Sequence, residues 1–420
     1  MLVRRRDMIR TDVLVVGSGA GGSVASLELT KQNFKVVLAE AGEGVDLARA
    51  RLGYRPVLSS IEVLKCEGLG GTTLVSMGNM LVTGEMLEKF RSLGVDLTAE
   101  VQEVCKLMSV SKTPADRLPA FAKKFVEAAE RAGLRAEVMP KSIDFDKCIG
   151  CGRCAYGCPK GAKVSALDLV KVGVRQGLVL LTRFRVDKLR KSQERVVAEG
   201  VVDGNRLKVE CRALVLAAGA LETPKLLAQL HDDENVGRNL FVDPFVTVGG
   251  PYDGPSSSDG IQMAAYVDFS DFLLSPHYTG LLQFQLATRG VDLRGRGIAS
   301  LMVKVADEGK GVVWPDCVVE TRMTRRDLRI LERGVEKAKE LLSELGARED
   351  EIAMTHVRGA HPGGTAAIGY VVSQDLTIDG CDGVFVADAS LIPPPLGKPP
   401  VLLIMSLAMK VARRVCEYLR

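Results

Sequence analysis

The 420-residue sequence has no apolar run long enough to cross a bilayer. Its longest apolar stretch near the C-terminus, Val401 to Ala412, is interrupted by Ser406 and Lys410. The N-terminus lacks the apolar segment of a secretory leader, because Asp7, Arg10 and Asp12 break it. A cytoplasmic location is the resulting expectation. Large blocks of like charge are missing too. The formal net charge is +4 with both signs mixed along the chain, and Arg4-Arg5-Arg6 is short enough to be a solvated terminus, so no nucleic-acid partner is expected. No internal repeat or low-complexity segment stands out. Asn and Gln are scarce beside plentiful Arg, Lys and Glu, a balance seen in thermophiles. There are only four histidines, His231, His277, His356 and His361, so few side chains can serve as a base near neutral pH.

What is present is a chain able to bury a large core, with 46% hydrophobic residues and 43 glycines for tight turns. Length alone allows one to three domains. Ten cysteines in such a chain do not make a disulfide framework, and four of them crowd into Cys148–Cys158.

Asp12-Val13-Leu14-Val15-Val16 reads as a buried strand. Gly17-Ser18-Gly19-Ala20-Gly21-Gly22 follows, then a helical stretch to Gln32, then a second apolar strand, Lys35–Ala39, ending at Glu40. This is a βαβ unit with G-x-G-x-x-G in its dinucleotide-binding place. Gly17 makes the tight turn, Gly19 lets the backbone approach a pyrophosphate, and Gly22 lets helix and strand pack closely. The helix N-terminus offers free N–H groups to phosphates, and Glu40 is placed for a ribose. The fingerprint alone does not separate NAD from FAD.

The cysteine run Cys148, Cys151, Cys154, Cys158, followed by Pro159, has the ferredoxin spacing C-x2-C-x2-C-x3-C-P. It predicts a 4Fe–4S cluster. A four-cysteine zinc site is the alternative, but zinc motifs usually set their two cysteine pairs well apart. In two-cluster ferredoxins the fourth cysteine serves the other cluster, and here there is a single run. Either Cys158 closes the cluster or a distant cysteine does, and Cys66, just before Gly70, is the first to consider.

Further segments recur in order: Gly70-Gly71-Thr72-Thr73, Ala217–Pro224, Val236–Leu240, His361-Pro362-Gly363-Gly364-Thr365 and Val386–Pro393. Together with the N-terminal unit they resemble the glucose-methanol-choline (GMC) oxidoreductases over most of the chain, least between about Pro251 and Trp314. The resemblance implies FAD as cofactor and hydride removal from an alcohol carbon. It implies that Gly17, Gly19, Gly22 and Glu40 hold the ADP half, and that Gly70, Gly71 and Thr72 lie against flavin and pyrophosphate. Val186 would touch the adenine, and Asp388 and Ala389 the ribityl–pyrophosphate region. A helix starting near Pro400 would direct its N-terminus at the flavin. His361 would be the base that accepts the hydroxyl proton. Where the family has a second polar catalytic residue this chain has Pro399, so Lys398 or His356 would have to compensate. The chain is also shorter than usual for the family, implying reduced lids or a small substrate domain.

The expected fold class is α/β. A Rossmann-like FAD-binding domain spans 1–235 plus 355–420, with the iron–sulfur loop at 141–165 inserted in it. A second, mostly antiparallel-sheet (α+β) substrate domain spans 236–354. Residues 84–140 read as helices covering the first domain, Leu281–Leu286 and Ser300–Val305 as strands, and Arg325–Leu345 as a helix. The expected function is a dehydrogenase acting on an alcohol, polyol or hydroxy acid. It would pass electrons singly through the cluster to a protein or quinone acceptor. The alternatives are an electron-transfer subunit of a larger redox complex, or a reductase.

Overall fold

The computed structural model describes residues 8–44 and 47–420, so the Arg4-Arg5-Arg6 run and Asp7 lie outside the described residues. Two sheets organise the chain. The first is built around the N-terminal βαβ unit. Met8–Val16 lies between Val36–Ala39 and Asn205–Leu216, with Val179–Leu181 beyond the former and Val384–Val386 beside the latter, all parallel. The antiparallel strands Arg195–Val202 and Arg185–Ser192 extend the first half of Asn205–Leu216. Parallel strands covered on both faces need apolar side chains on both, and Val13–Val15, Leu38, Leu214 and Leu216 have 0% exposure. Truncating one such leucine to alanine costs about 2–5 kcal/mol.

The Ala20–Lys31 helix returns the chain across this sheet and packs against the C-terminal helix, Val401–Leu419. The approach is close because Gly22 has no side chain: a Cβ there would lie 1.8 Å from the Gly17 carbonyl oxygen. Glu40, Gly17, Ala217 and Asp388 each follow the end of a parallel strand, the edge at which open α/β sheets bind ligands.

The second sheet has eight strands and is mainly antiparallel, with Pro244–Tyr252 and Gly297–Val305 at its centre. It draws Glu62–Val63, Ala136–Val138 and Arg358–Gly359 from outside residues 236–354. Helices Ala120–Arg131 and Arg325–Glu344 cover one face, and the second starts with a capping box of Thr324 and Asp327. Phe245, Met302 and Lys304 line a cavity on the sheet's other side.

Two segments differ from the sequence expectation. Leu281–Leu286 is not a strand but part of the Gly280–Thr288 helix, capped by the Thr279 hydroxyl. It holds no β-branched residue, and the pair it buries, Leu282 and Leu286, has helical spacing while Phe284 is 64% exposed. Residues 84–140 are not all helix and do not all cover the first sheet. Gly84–Ser92 and Thr98–Leu107 contribute to its core, whereas Ala120–Arg131 packs on the second sheet, and the short strand Val110–Lys112 separates it from the other two. The helices over Arg325–Glu344 and Val401–Leu419 lie where their periodicity predicts. No helix among the described residues is long and apolar enough to cross a membrane.

Candidate active site

A cavity of about 990 Å³ runs from the strand ends of the first sheet to the second. Gly17, Gly19, Glu40, Gly71, Thr72, Val186, Asp388, Ala389, Pro400 and His361 all line it. Gly22 and Gly70 do not. Gly22 is the packing glycine already described, and Gly70 sits behind the wall at φ +102° with its N–H on the Ser18 hydroxyl at 3.0 Å.

The glycine-rich end is shaped by backbone. Gly17 takes φ +100°, and a Cβ there would strike the Ala217 carbonyl oxygen at 2.3 Å. At Gly19 nothing lies within 4 Å of where a Cβ would be, so that backbone faces open cavity. Glu40 is 6% exposed and anchored: Oε2 accepts from the Ser18 N–H (3.1 Å) and hydroxyl (2.6 Å), Oε1 from the Gly42 N–H (2.8 Å). Each carboxylate oxygen has two lone pairs, leaving room for a ribose hydroxyl. Asp388 accepts from the Gly219 N–H (2.8 Å), the Thr223 hydroxyl (2.5 Å) and the Ser390 N–H (2.8 Å). Burial pushes its carboxyl above the usual range. The C-terminal helix opens on the cavity through Pro400, Val401 and Ile404 and has no side-chain cap. This donor set, with its open glycine backbone and capless helix, fits a long phosphate-bearing dinucleotide.

The other end is shaped by side chains. His361 Nδ1 lies 2.9 Å from Asp243 Oδ2 and 3.5 Å from Lys304 Nζ. Asp243 is fully buried and also accepts the Gly397 N–H at 2.8 Å. Burial pushes the Asp243 carboxyl up and the Lys304 ammonium down. Burial, then the Lys304 charge, holds His361 well below its ordinary value of 6.5, so its ring is neutral. His277, bonded to Thr247 Oγ1 at 2.9 Å, is pushed down to about 3 by burial, then by Arg358 and Lys304. Pro399 lines the cavity, and neither expected substitute reaches it. Lys398 pairs with Asp268 at 3.2 Å, and His356 with Glu62 at 3.1 Å. The sequence reading missed Asp243, Lys304 and Arg358. A signal existed for Lys304, a lone charge inside the apolar run Ser300–Val305.

Cys148, Cys151, Cys154 and Cys158 together line a separate small cavity of about 20 Å³. Their sulfurs are not closed around a point: among the described residues no three His, Cys, Asp or Glu side chains are arranged to hold a metal ion. The loop nonetheless aims N–H groups at sulfur. Ala162 N–H meets Cys158 Sγ at 3.2 Å, and Gly150 N–H meets the Cys148 sulfur. Cys66 is buried in the wall of the large cavity, not the small one. Two buried lysines stand between the cavities. Lys163 Nζ donates to Leu74 O (2.7 Å), Ser76 O (2.8 Å) and Cys154 O (2.9 Å). Lys141 Nζ donates to Met77 O (3.1 Å), Asn79 Oδ1 and Gln262 O (2.6 Å). Neither makes an ion pair among the described residues.

A family model described as GMC oxidoreductase matches residues 11–245, and a second of the same description matches residues 310–408. The chain is 32% identical over 408 residues to protein MJ1450 of Methanocaldococcus jannaschii, covering 96% of this chain and 99% of that protein. It is 26% identical to the long-chain-alcohol oxidase FAO4B of Arabidopsis thaliana, covering 98% of this chain and 68% of that protein. Among solved structures, pyridoxine 4-oxidase from Mesorbium loti superposes with a TM-score of 0.75 at 20% identity, covering 96% of this chain and 98% of that one. Formate oxidase of Aspergillus oryzae superposes with a TM-score of 0.72 at 14% identity, over 98% of this chain and 99% of that one.

Proposed function

We propose, from the premise that the chain belongs to the GMC oxidoreductase family, that it oxidises an alcohol, polyol or hydroxy acid at the His361 end of the large cavity. The chain is an FAD-dependent oxidoreductase acting on CH–OH donors. The observation that carries the specific reading is His361, neutral and anchored on Asp243, lining the same cavity as the glycine turn and Asp388. The long-chain-alcohol oxidase relative, named for alcohols, agrees with it.

FAD, when bound, would supply the hydride acceptor. Gly17, Gly19, Glu40 and Val186 would hold its ADP half, Gly71, Thr72, Asp388 and Ala389 its flavin and pyrophosphate, and the helix N-terminus at Pro400 would offer unpaired N–H groups to negative charge. Gly22 and Gly70 shape this cradle from behind. Asp243 accepts the Nδ1 proton of His361, which fixes the tautomer and leaves Nε2 free to take the substrate hydroxyl proton. Lys304 supplies the polar group that Pro399 cannot. We assign the FAD domain to 1–235 with 355–420 and the substrate domain to 236–354, whose sheet and helical cover are completed by Glu62–Val63, Ala120–Arg131, Ala136–Val138 and Arg358–Gly359.

We further assign a 4Fe–4S cluster to Cys148, Cys151, Cys154 and Cys158, with a protein or quinone as the acceptor and the cytoplasm as the setting. The shared cavity and the N–H groups aimed at sulfur support it. So do the two lysines. Burial pushes Lys141 down to about 7 and Lys163 to about 8, neither pairs with a carboxylate among the described residues, and nearby negative charge would favour their ammonium forms. A thiolate-bound cluster provides that charge.

The test is anaerobic purification, an absorption spectrum, iron and sulfide analysis, and flavin bleaching by a panel of alcohols and hydroxy acids. Flavin bands over a broad brown background, with bleaching by at least one CH–OH donor, are expected. Zinc without sulfide defeats the cluster. Flavin that no panel member bleaches defeats the oxidation reading and leaves an electron-transfer subunit. In Cys158→Ser the cluster signal should be lost while FAD stays; an intact signal would move the fourth ligand to Cys66.

A further inference from the structure

The substrate end of the large cavity is floored by the second sheet. Phe245 is the register partner of Lys304 on one neighbouring strand and of Arg358 on the other. Partners in register on adjacent strands share a face, so Arg358, Phe245 and Lys304 form one row, and all three line the cavity. The Arg358 guanidinium lies over the Phe245 ring, 5.2 Å from its centroid. Around the row the wall is apolar, with Met77, Met263 and Met302.

Neither cation has an ion pair within 4 Å among the described residues, although the Asp243 charge acts on Lys304 and the Glu62 charge on Arg358. The Arg358 side chain makes no hydrogen bond or ion pair among the described residues, and its Nε is buried without one. Its other register partner, Glu62, is engaged by His356 instead. Lys304 is 2% exposed, and its ammonium has one contact, His361 Nδ1, at the outer limit of hydrogen-bond distance. A guanidinium offers five donors and an ammonium three, so nearly all of this capacity is unused. Desolvated donors left unpaired are costly. A planar fork on an aromatic floor, with an ammonium beyond, matches an oxyanion.

We propose that Arg358 and Lys304 receive an anionic group of the substrate, so that the CH–OH donor is a hydroxy acid whose carboxylate lies over the Phe245 row. This rests on the reading above that the chamber admits an alcohol. It narrows that alcohol to an acid and makes Arg358 a specificity-determining residue.

The probe is 2-hydroxyisobutyrate, which carries hydroxyl and carboxylate but no hydrogen on the carbinol carbon, so it binds without being oxidised. Its neutral counterpart is 2-hydroxyisobutyramide. Each is titrated into the FAD-loaded protein and followed by the flavin difference spectrum. The acid is expected to bind at least tenfold more tightly than the amide. Arg358→Leu should weaken the acid by roughly ten- to hundredfold, the range for a lost charge-assisted hydrogen bond, and leave the amide unaltered. Arg358→Lys should restore part of the preference, and Lys304→Met should reduce it independently.

Equal binding of acid and amide by the wild-type protein overturns the proposal, and that measurement needs no variant. Loss of FAD from Arg358→Leu overturns it as well, by assigning the guanidinium to the cofactor. Methyl phosphate, run in parallel, binding more tightly than the acid would overturn the carboxylate assignment. A protein that binds the acid selectively yet is bleached by no CH–OH donor would retain the anion site and defeat the oxidation reading instead.

Discussion

The two ends of the large cavity are made of different material. At the glycine-rich end the wall is main chain: an open backbone at Gly19, a positive-φ turn at Gly17, and a helix end at Pro400. At the other end the wall is side chains brought together by topology. His361 meets Asp243 across 118 residues and Lys304 across 57. The first end, proposed above for the cofactor, depends on the absence of side chains. The second depends on which side chains are there, so it is where substrate choice can change without disturbing the cofactor.

The largest expected effect is at the backbone end. A valine at Gly22 has no room, since even its Cβ would lie 1.8 Å from a carbonyl oxygen. Gly22→Val should therefore strip FAD almost completely, as read from flavin absorbance per chain after gel filtration. A variant carrying one FAD per chain would erase the distinction between the two ends.

At the side-chain end losses should be in rate, with FAD kept. His361→Ala should slow anaerobic flavin reduction by about 10²–10⁴-fold, the usual contribution of a positioned base. A stopped-flow rate equal to wild type would remove His361 from the reaction. Asp243→Asn should cost less, roughly 10–100-fold, the value of one hydrogen bond to a charged group. If it costs more than His361→Ala, the carboxylate has a function of its own.

The smallest effect is in the pH profile. A base works unprotonated, and burial with the Lys304 charge holds the His361 pKa well below 6.5. The reduction rate should therefore stay level as pH falls through 6.5, with its acid limb lower. Lys304→Met removes one cause of the depression and should move that limb upward. A wild-type limb already centred near 6.5 would show His361 to be solvated.

Legibility followed the same division. A site made of backbone is written contiguously, because its geometry comes from neighbouring residues, and Gly17–Glu40 gave both the fold and the cavity lining. The four cysteines, also contiguous in sequence, line one small cavity, but their sulfurs are not closed around a point among the described residues. Asp243 and Arg358 were not legible, since nothing in their local sequence announces that strands will bring them beside His361 or Phe245. Lys304 could have been found, because a charge in a strand buried on both faces demands a partner or a task. The misread Leu281–Leu286 segment shows the limit of alternation over six residues, where spacing fits strand and helix alike and the absence of β-branching decides.

Lys163 ties Cys154 to Leu74 and Ser76, Tyr54 bonds to Ala155, and Ala155 and Tyr156 themselves line the large cavity. The cysteine loop is thus a shared wall and not an appendage. An engineer who excised it as a cassette, or grafted it onto a shorter relative, would be removing part of the large cavity's wall. The loop and the chamber can be exchanged only as one piece.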